Sequence, residues 1–232
     1  MCGRFALTIS PKVLKELFQL AETPQLPARY NIAPSQPVAA VVLSDDSTSR
    51  VLKMPQWGLL PAWAKDPASR FINARSETAG QKNTFKNAYK KRRCLIPADG
   101  FYEWQKKRTP KQPYFFRRCE AIPMALAGLW ERWTGPNGLV IESCAILTTA
   151  GNELMKPIHD RMPVIIDPKD FELWLDTTQF RADSLRKLLQ PYPSEKMTCY
   201  PVSPVVNSPE NDLPGCLEPL PGQEKPEKGL FY

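Results

Sequence analysis

The chain has 232 residues, 42% of them apolar and 24% charged, ordinary shares for a soluble globular protein and enough chain for one sizeable domain. It shows no basic-then-apolar leader and no apolar run of about 18 residues, so neither a secretory signal nor a membrane span is expected. The net charge of +7 and pI near 9.1 favour an anionic partner, nucleic acid first.

Proline is over-used, 25 residues spread along the chain against about 5% on average. That argues for short strands and fixed turns rather than long helices. The six cysteines, at 2, 94, 119, 144, 199 and 216, include no CxxC pair, and His159 is the single histidine. No metal and no cofactor are therefore expected. Free thiols point to a reducing, cytosolic setting.

In chain order, Met1-Cys2-Gly3-Arg4 comes first. Removal of Met1 would leave Cys2 with an amine (reference pKa roughly 7.7–8.0) and a thiol (about 8.5) two bonds apart. Such a 1,2-aminothiol condenses with an aldehyde to an imine, which the thiol closes to a thiazolidine. An N-terminal nucleophile also has its own amine as a base. A cysteine that merely follows Met is the plain alternative.

Ser10-Pro11 with Val13, Leu14, Leu17 and Phe18 reads as a short capped amphipathic helix. Val38–Leu43 and Val51–Trp57 read as a hairpin across the polar turn Asp45–Ser49. The Pro-interrupted apolar run 58–64, with Trp63, is either a buried loop or an exposed wedge for nucleobases. If 71–78 is extended, Asn73, Arg75 and Glu77 share one face, as a solvated edge or as a polar site. Thr84–Arg93 reads as a short helix with cations at its C-terminal end.

Cys94–Trp104 reads as a strand, a Gly turn and then Glu103 between aromatics. Glu103 is either a surface carboxylate or one desolvated for acid/base work. Lys106, Lys107, Arg108 and Lys111 would form a basic hairpin tip before the strand Pro113–Arg118. Met124–Trp130 and Leu139–Ala150, joined by the turn at 135–138, are the expected centre of the sheet. His159, beside Asp160 and Arg161 between two prolines, is expected on an exposed rigid segment, in a structural or catalytic role. Val164–Ile166 is expected as a strand, Asp167–Leu175 and Leu185–Leu189 as helices, and Met197–Val202 as the last strand. Residues 221–232 read as a flexible tail after a single domain spanning 1–220.

Six stretches then occur in one order: Met-Cys-Gly-Arg-Phe at the start, Arg-Tyr-Asn-Ile-Ala-Pro, Trp-Gly-Leu-Leu-Pro, Ile-Asn-Ala-Arg-Ser-Glu-Thr, Ala-Asp-Gly-Phe-Tyr-Glu-Trp and Ile-His-Asp-Arg-Met-Pro. Together they resemble the SRAP family, the SOS response-associated peptidases, from residue 1 to about 220. The resemblance implies an α+β single domain of mostly antiparallel short strands, barrel-like, with peripheral helices. It implies an abasic-site processing protein that sheds Met1 autoproteolytically and links Cys2 covalently to abasic sites in single-stranded DNA. Asn73 would orient the N-terminus and the opened sugar, Glu103 would serve as acid/base, and His159 would stabilise a sugar hydroxyl or shuttle a proton. Arg4, Arg75 and Arg161 would hold phosphates. Trp63 and Trp104, with Pro34, would stack on or wedge between bases. The implied protein is a monomer, bacterial and cytoplasmic, nucleoid-associated when bound to DNA. Two other readings are a cysteine peptidase acting on other proteins and a non-covalent reader of modified bases.

Overall fold

A computed structural model describes residues 2–105, 111–120, 122–178 and 180–222. The first half of the chain forms β1 (Phe5–Leu7), α1 (Pro11–Phe18), β2 (Arg29–Ile32), β3 (Ala40–Leu43), β4 (Arg50–Lys53), β5 (Gln56–Trp57), β6 (Asn73–Arg75), α2 (Ser76–Ala79) and α3 (Lys86–Lys91). Then come β7 (Arg93–Ala98), β8 (Gly100–Trp104), β9 (Pro113–Arg118), β10 (Met124–Thr134), β11 (Val140–Ala150), β12 (Arg161–Pro163), α4 (Phe171–Leu175), α5 (Ala182–Leu188) and β13 (Met197–Pro201). The fold is α+β, with short helices outside two sheets. The expected basic tip, apart from Lys111, and the expected tail from 223 lie outside the described residues.

One sheet runs β13-β9-β8-β1-β2 and the other β12-β11-β10-β7-β3-β4, with β5 and β6 pairing parallel to β11. Alternation along the strands sorts the core. Phe5, Phe101, Phe116, Ile96, Leu126 and Ile146 fill the space between the sheets. Leu95, Leu129 and Leu147 face the helices and meet Leu14, Phe18, Phe171 and Trp174. On the other side of the first sheet, Ala6, Tyr102, Phe115 and Tyr200 are covered by Val202, Val206 and Cys216 from the C-terminal segment.

The β10–β11 hairpin has the expected turn and is central, pairing from Gly128↔Ile146 to Thr134↔Val140. Beyond Ile146 the two strands part and the chain after residue 160 fills the gap. Val164 N–H donates to Leu147 O (2.9 Å) while Ala127 N–H donates to Val164 O (2.8 Å). The strand expected over 164–166 therefore appears earlier, as β12, and continues only as a bridge at Ile165. A second difference lies at Met54-Pro55. Proline lacks the N–H a continuous strand needs, so Val51–Trp57 breaks in two and Trp57 turns inward to pair with Cys144.

Candidate functional site: the buried start of the chain

β1 carries the N-terminus between β2 and β8. Phe5 opposes Phe101, and Tyr102 N–H donates to Arg4 O (2.9 Å). Continuing this antiparallel register places Gly3 opposite Glu103, so the chain start runs alongside the carboxylate. β8 alternates: Phe101 and Glu103 face the space between the sheets, Tyr102 and Trp104 the opposite side. Glu103 thus shares the interior with Cys2, and Trp104 shares its side with Arg4, whose guanidinium lies 5.7 Å from the ring centre. The close pairing of β8 with β9 depends on Gly100, where a Cβ would sit 2.2 Å from Phe116 O.

Cys2 has no exposed surface and belongs to the apolar cluster with Phe5, Trp57, Met155 and Met162. Burial pushes its thiol well above the ordinary range, and the Glu103 charge pushes it further, against a weaker opposing hydrogen bond from the Arg4 backbone. The thiol is therefore neutral at pH 7, unlike a cysteine activated as a thiolate by a neighbouring imidazolium. The Asn73 side chain donates from Nδ2 to Cys2 O (2.8 Å). Its Oδ1 is buried and has no partner among the described residues. An acceptor left unpaired in a buried site costs free energy unless a ligand or water takes it up.

β6 places Asn73 opposite Ile146 and Arg75 opposite Thr148, so both project from the face that Ile146 shares with the inter-sheet core. Glu77, expected on the same extended face, stands instead in α2, because the strand ends at Arg75. It pairs there with Arg161: Nη1 to Oε1 at 2.5 Å and Nη2 to Oε2 at 3.0 Å. Arg161 also reaches Thr148 O (2.5 Å), so in this state its guanidinium fork is engaged within the protein. Arg75 is exposed. Arg4 is half-buried, its Nη1 donating to Asn31 Oδ1 (2.7 Å) and Val206 O (2.8 Å).

His159 departs from the expected exposed segment: it is only 8% exposed. The turn after β11 folds tightly over Gly151, where a Cβ would lie 2.9 Å from His159 O. His159 N–H donates to Met155 O (2.8 Å), closing the turn. The imidazole Nδ1 lies 2.9 Å from Arg161 N and 3.0 Å from Asp160 Oδ1, so the turn holds the ring by that nitrogen and leaves Nε2 for other partners. Ile158 beside it packs in the cluster that contains Cys2.

Among the expected stacking residues, Trp63 is 62% exposed. Trp104 is half-buried, its Nε1 donating to Asn207 Oδ1 (2.7 Å). Pro34 is half-buried in a turn tied to β5, where Ser35 N–H donates to Trp57 O (2.7 Å). Arg4, Trp104, Lys111 and Asn207 line a shallow depression of about 560 Å³. Among the described residues no group of three His, Cys, Asp or Glu side chains could hold a metal ion, and no helix is long and apolar enough to cross a membrane.

Sequence reasoning missed the support beneath Arg4. Asn31 is fully buried, and its Nδ2 donates to the carbonyls of Val206, Ser208 and Asn211 at 3.2, 2.9 and 2.7 Å. Asp212 accepts from the backbone N–H of Tyr30 (2.6 Å) and Asn31 (3.0 Å) and pairs with Arg29. The only local signal was the Arg-Tyr-Asn stretch itself; its partners lie about 180 residues away.

The family model for the SOS response associated peptidases (SRAP) matches residues 1–209. The chain is 41% identical over 225 residues to "Abasic site processing protein YoqW" of Bacillus subtilis, covering 94% of this chain and 99% of that one. It is 32% identical over 263 residues to "Abasic site processing protein HMCES" of Xenopus tropicalis, covering 94% of this chain and 78% of that one. Its fold resembles a crystal structure from Bacteroides thetaiotaomicron, with TM-score 0.82 at 24% identity over 94% of this chain and all of that one. A Bordetella bronchiseptica structure gives TM-score 0.74 at 28% identity over 87% and 100%. A family model spanning nearly all of the domain, and relatives matched along most of their length, show that the chain belongs to the SRAP family.

Proposed function

We propose that the chain captures abasic sites in single-stranded DNA as a thiazolidine on Cys2, after removing its own Met1. The observation that carries this reading is the company Cys2 keeps: its carbonyl on Asn73, its thiol within the field of the Glu103 carboxylate, and its side chain enclosed. Hydrolysis of the Met1–Cys2 peptide bond consumes one water and frees the amine. The amine attacks C1′ of the ring-opened sugar, and loss of water gives an imine. The thiol then adds across the C=N bond: the S–C bond forms and the thiol proton ends on nitrogen. Amine, thiol and aldehyde thus combine with net loss of one water.

The amine makes the first attack on the aldehyde, and Glu103 is the nearby base that takes the thiol proton as the ring closes. Asn73 Oδ1, without a partner among the described residues, is an acceptor for the freed amine or a sugar hydroxyl. His159 Nε2 is a hydrogen-bond partner for the same sugar. Arg75, Arg161 and Arg4 take the flanking phosphates, with Arg161 exchanging Glu77 for phosphate.

The test is a denaturing gel and an intact mass of the mature protein after incubation with abasic single-stranded DNA. The expected result is a mass lacking Met1, raised by one oligonucleotide less one water. A Cys2→Ala protein that forms an equally stable adduct would overturn the reading.

A further inference from the structure

Beside the exposed ring of Trp63 lies a depression of about 360 Å³ lined by Trp63, Asn83, Lys86 and Asn87. It is built by the chain that delivers Asn73. Leu59 and Phe71 bridge the base of the Trp63 loop, and Phe71 packs edge-on against Phe85 with ring centres 5.7 Å apart. Trp63 Nε1 reaches Asn83 O at 3.4 Å, fixing the indole against the approach to α3.

A turn leads from Lys82 into α3, with Phe85 N–H (2.9 Å) and Lys86 N–H (2.8 Å) both donating to Lys82 O. Asn83 from that turn and Asn87 and Lys86 from α3 line the depression together, and Lys82 stands at the start of the turn. All four are exposed. Among the described residues the two carboxamides have no hydrogen-bond partner and the two lysines no carboxylate partner. Two unspent amides and two unspent ammonium groups beside an aromatic wall carry the complementary chemistry for one nucleotide: an edge to read and a phosphate to neutralise.

We propose that this depression is a nucleotide subsite, resting on the single-stranded DNA reading above. A base of the bound strand, displaced from the lesion, sets its edge against the Asn83 and Asn87 amides while Lys82 and Lys86 take the adjoining phosphates. A carboxamide pairs two-pronged with adenine, so the subsite prefers adenine at one fixed distance from the lesion.

The experiment uses the Cys2→Ala chain and oligo-dT carrying one tetrahydrofuran abasic-site analogue, with a single dA walked along the strand relative to it and equilibrium binding read by fluorescence anisotropy. The expected result is tighter binding, by about fivefold or more, at one dA position, lost in Asn83→Ala/Asn87→Ala. Lys82→Gln/Lys86→Gln is expected to lower the slope of log affinity against log salt by about 1.4, or roughly 0.7 for each phosphate neutralised. A profile flat at every position, or a preference surviving both asparagine substitutions, overturns the subsite; so does an unchanged salt slope. No binding of the single strand at all would instead overturn the DNA reading itself.

Discussion

At the scale of single residues, the site works through groups whose partners are only half supplied. Asn73 spends its Nδ2 on the Cys2 carbonyl and leaves Oδ1 without a partner among the described residues. Replacing it with alanine removes both the anchor and the acceptor. Asn73→Ala is expected to slow adduct formation by roughly 10- to 100-fold, the cost of a misplaced reactant, while affinity for undamaged single strands changes little. Single-turnover cross-linking beside an anisotropy titration separates the two effects. The Glu77–Arg161 pair makes a pH prediction. The Arg161 hydrogen bonds hold the Glu77 carboxyl below its ordinary range, against partial burial that raises it. A depressed pKa means stability present above the unfolded value and lost as pH falls through the folded one. Glu77 is about half exposed, so the pair contributes only about 0.5–1 kcal/mol after solvent screening. Glu77→Gln is expected to lower the melting temperature by roughly 1–4 °C at pH 7. The difference should shrink as the pH falls through the ordinary carboxylate range and vanish below the depressed folded value; a gap undiminished by acid would contradict the pairing.

Elements are where local sequence signals succeed or fail. Ser10 caps α1 as expected, its Oγ accepting from Val13 N–H (3.3 Å). The β10–β11 hairpin was legible from its turn residues, and Asn73 and Arg75 share a face as alternation required. The rest fails for physical reasons. Glu77 left the strand because three residues of pairing with β11 suffice before α2 begins. His159 is buried because the chain folds close over Gly151, a contact no local pattern reveals. Asn31 and Asp212 act on chain far away in sequence. That last arrangement predicts the outcome of breaking it. Asp212→Ala leaves the Tyr30 and Asn31 N–H groups without their acceptor, at a cost of about 1–3 kcal/mol each where buried. The C-terminal cover over Tyr102 is expected to loosen and Arg4 to lose its fixed position beneath Trp104. Faster hydrogen exchange in β2 and 204–217 would show this directly. Gly100→Ala drives a Cβ into the β9 backbone; a destabilisation above about 3 kcal/mol is expected, with cross-linking abolished because Glu103 moves with its strand.

For the whole molecule, the excess positive charge matters through its placement. Arg75 stands exposed beside Asn73. Arg75→Glu is expected to weaken single-strand binding and flatten its salt dependence by about 0.7 in the log–log slope, the share of one neutralised phosphate, as titrations from 50 to 200 mM salt would show. An equal substitution at Lys12, on the far helical layer, is expected to leave the slope alone.

On the reading proposed above, the enclosure of Cys2 has a further consequence, for the protein's survival before it meets its target. A free aminothiol is a general scavenger: any aldehyde, oxoacid or reducing sugar in a cell would occupy it, and each such reaction would block that molecule until the ring hydrolysed. Sealing the group in the core turns an indiscriminate reagent into one stored out of reach. Mature protein is expected to resist a bulky maleimide or glucose while formaldehyde still enters, a contrast that timed intact-mass spectra would record as two very different half-lives.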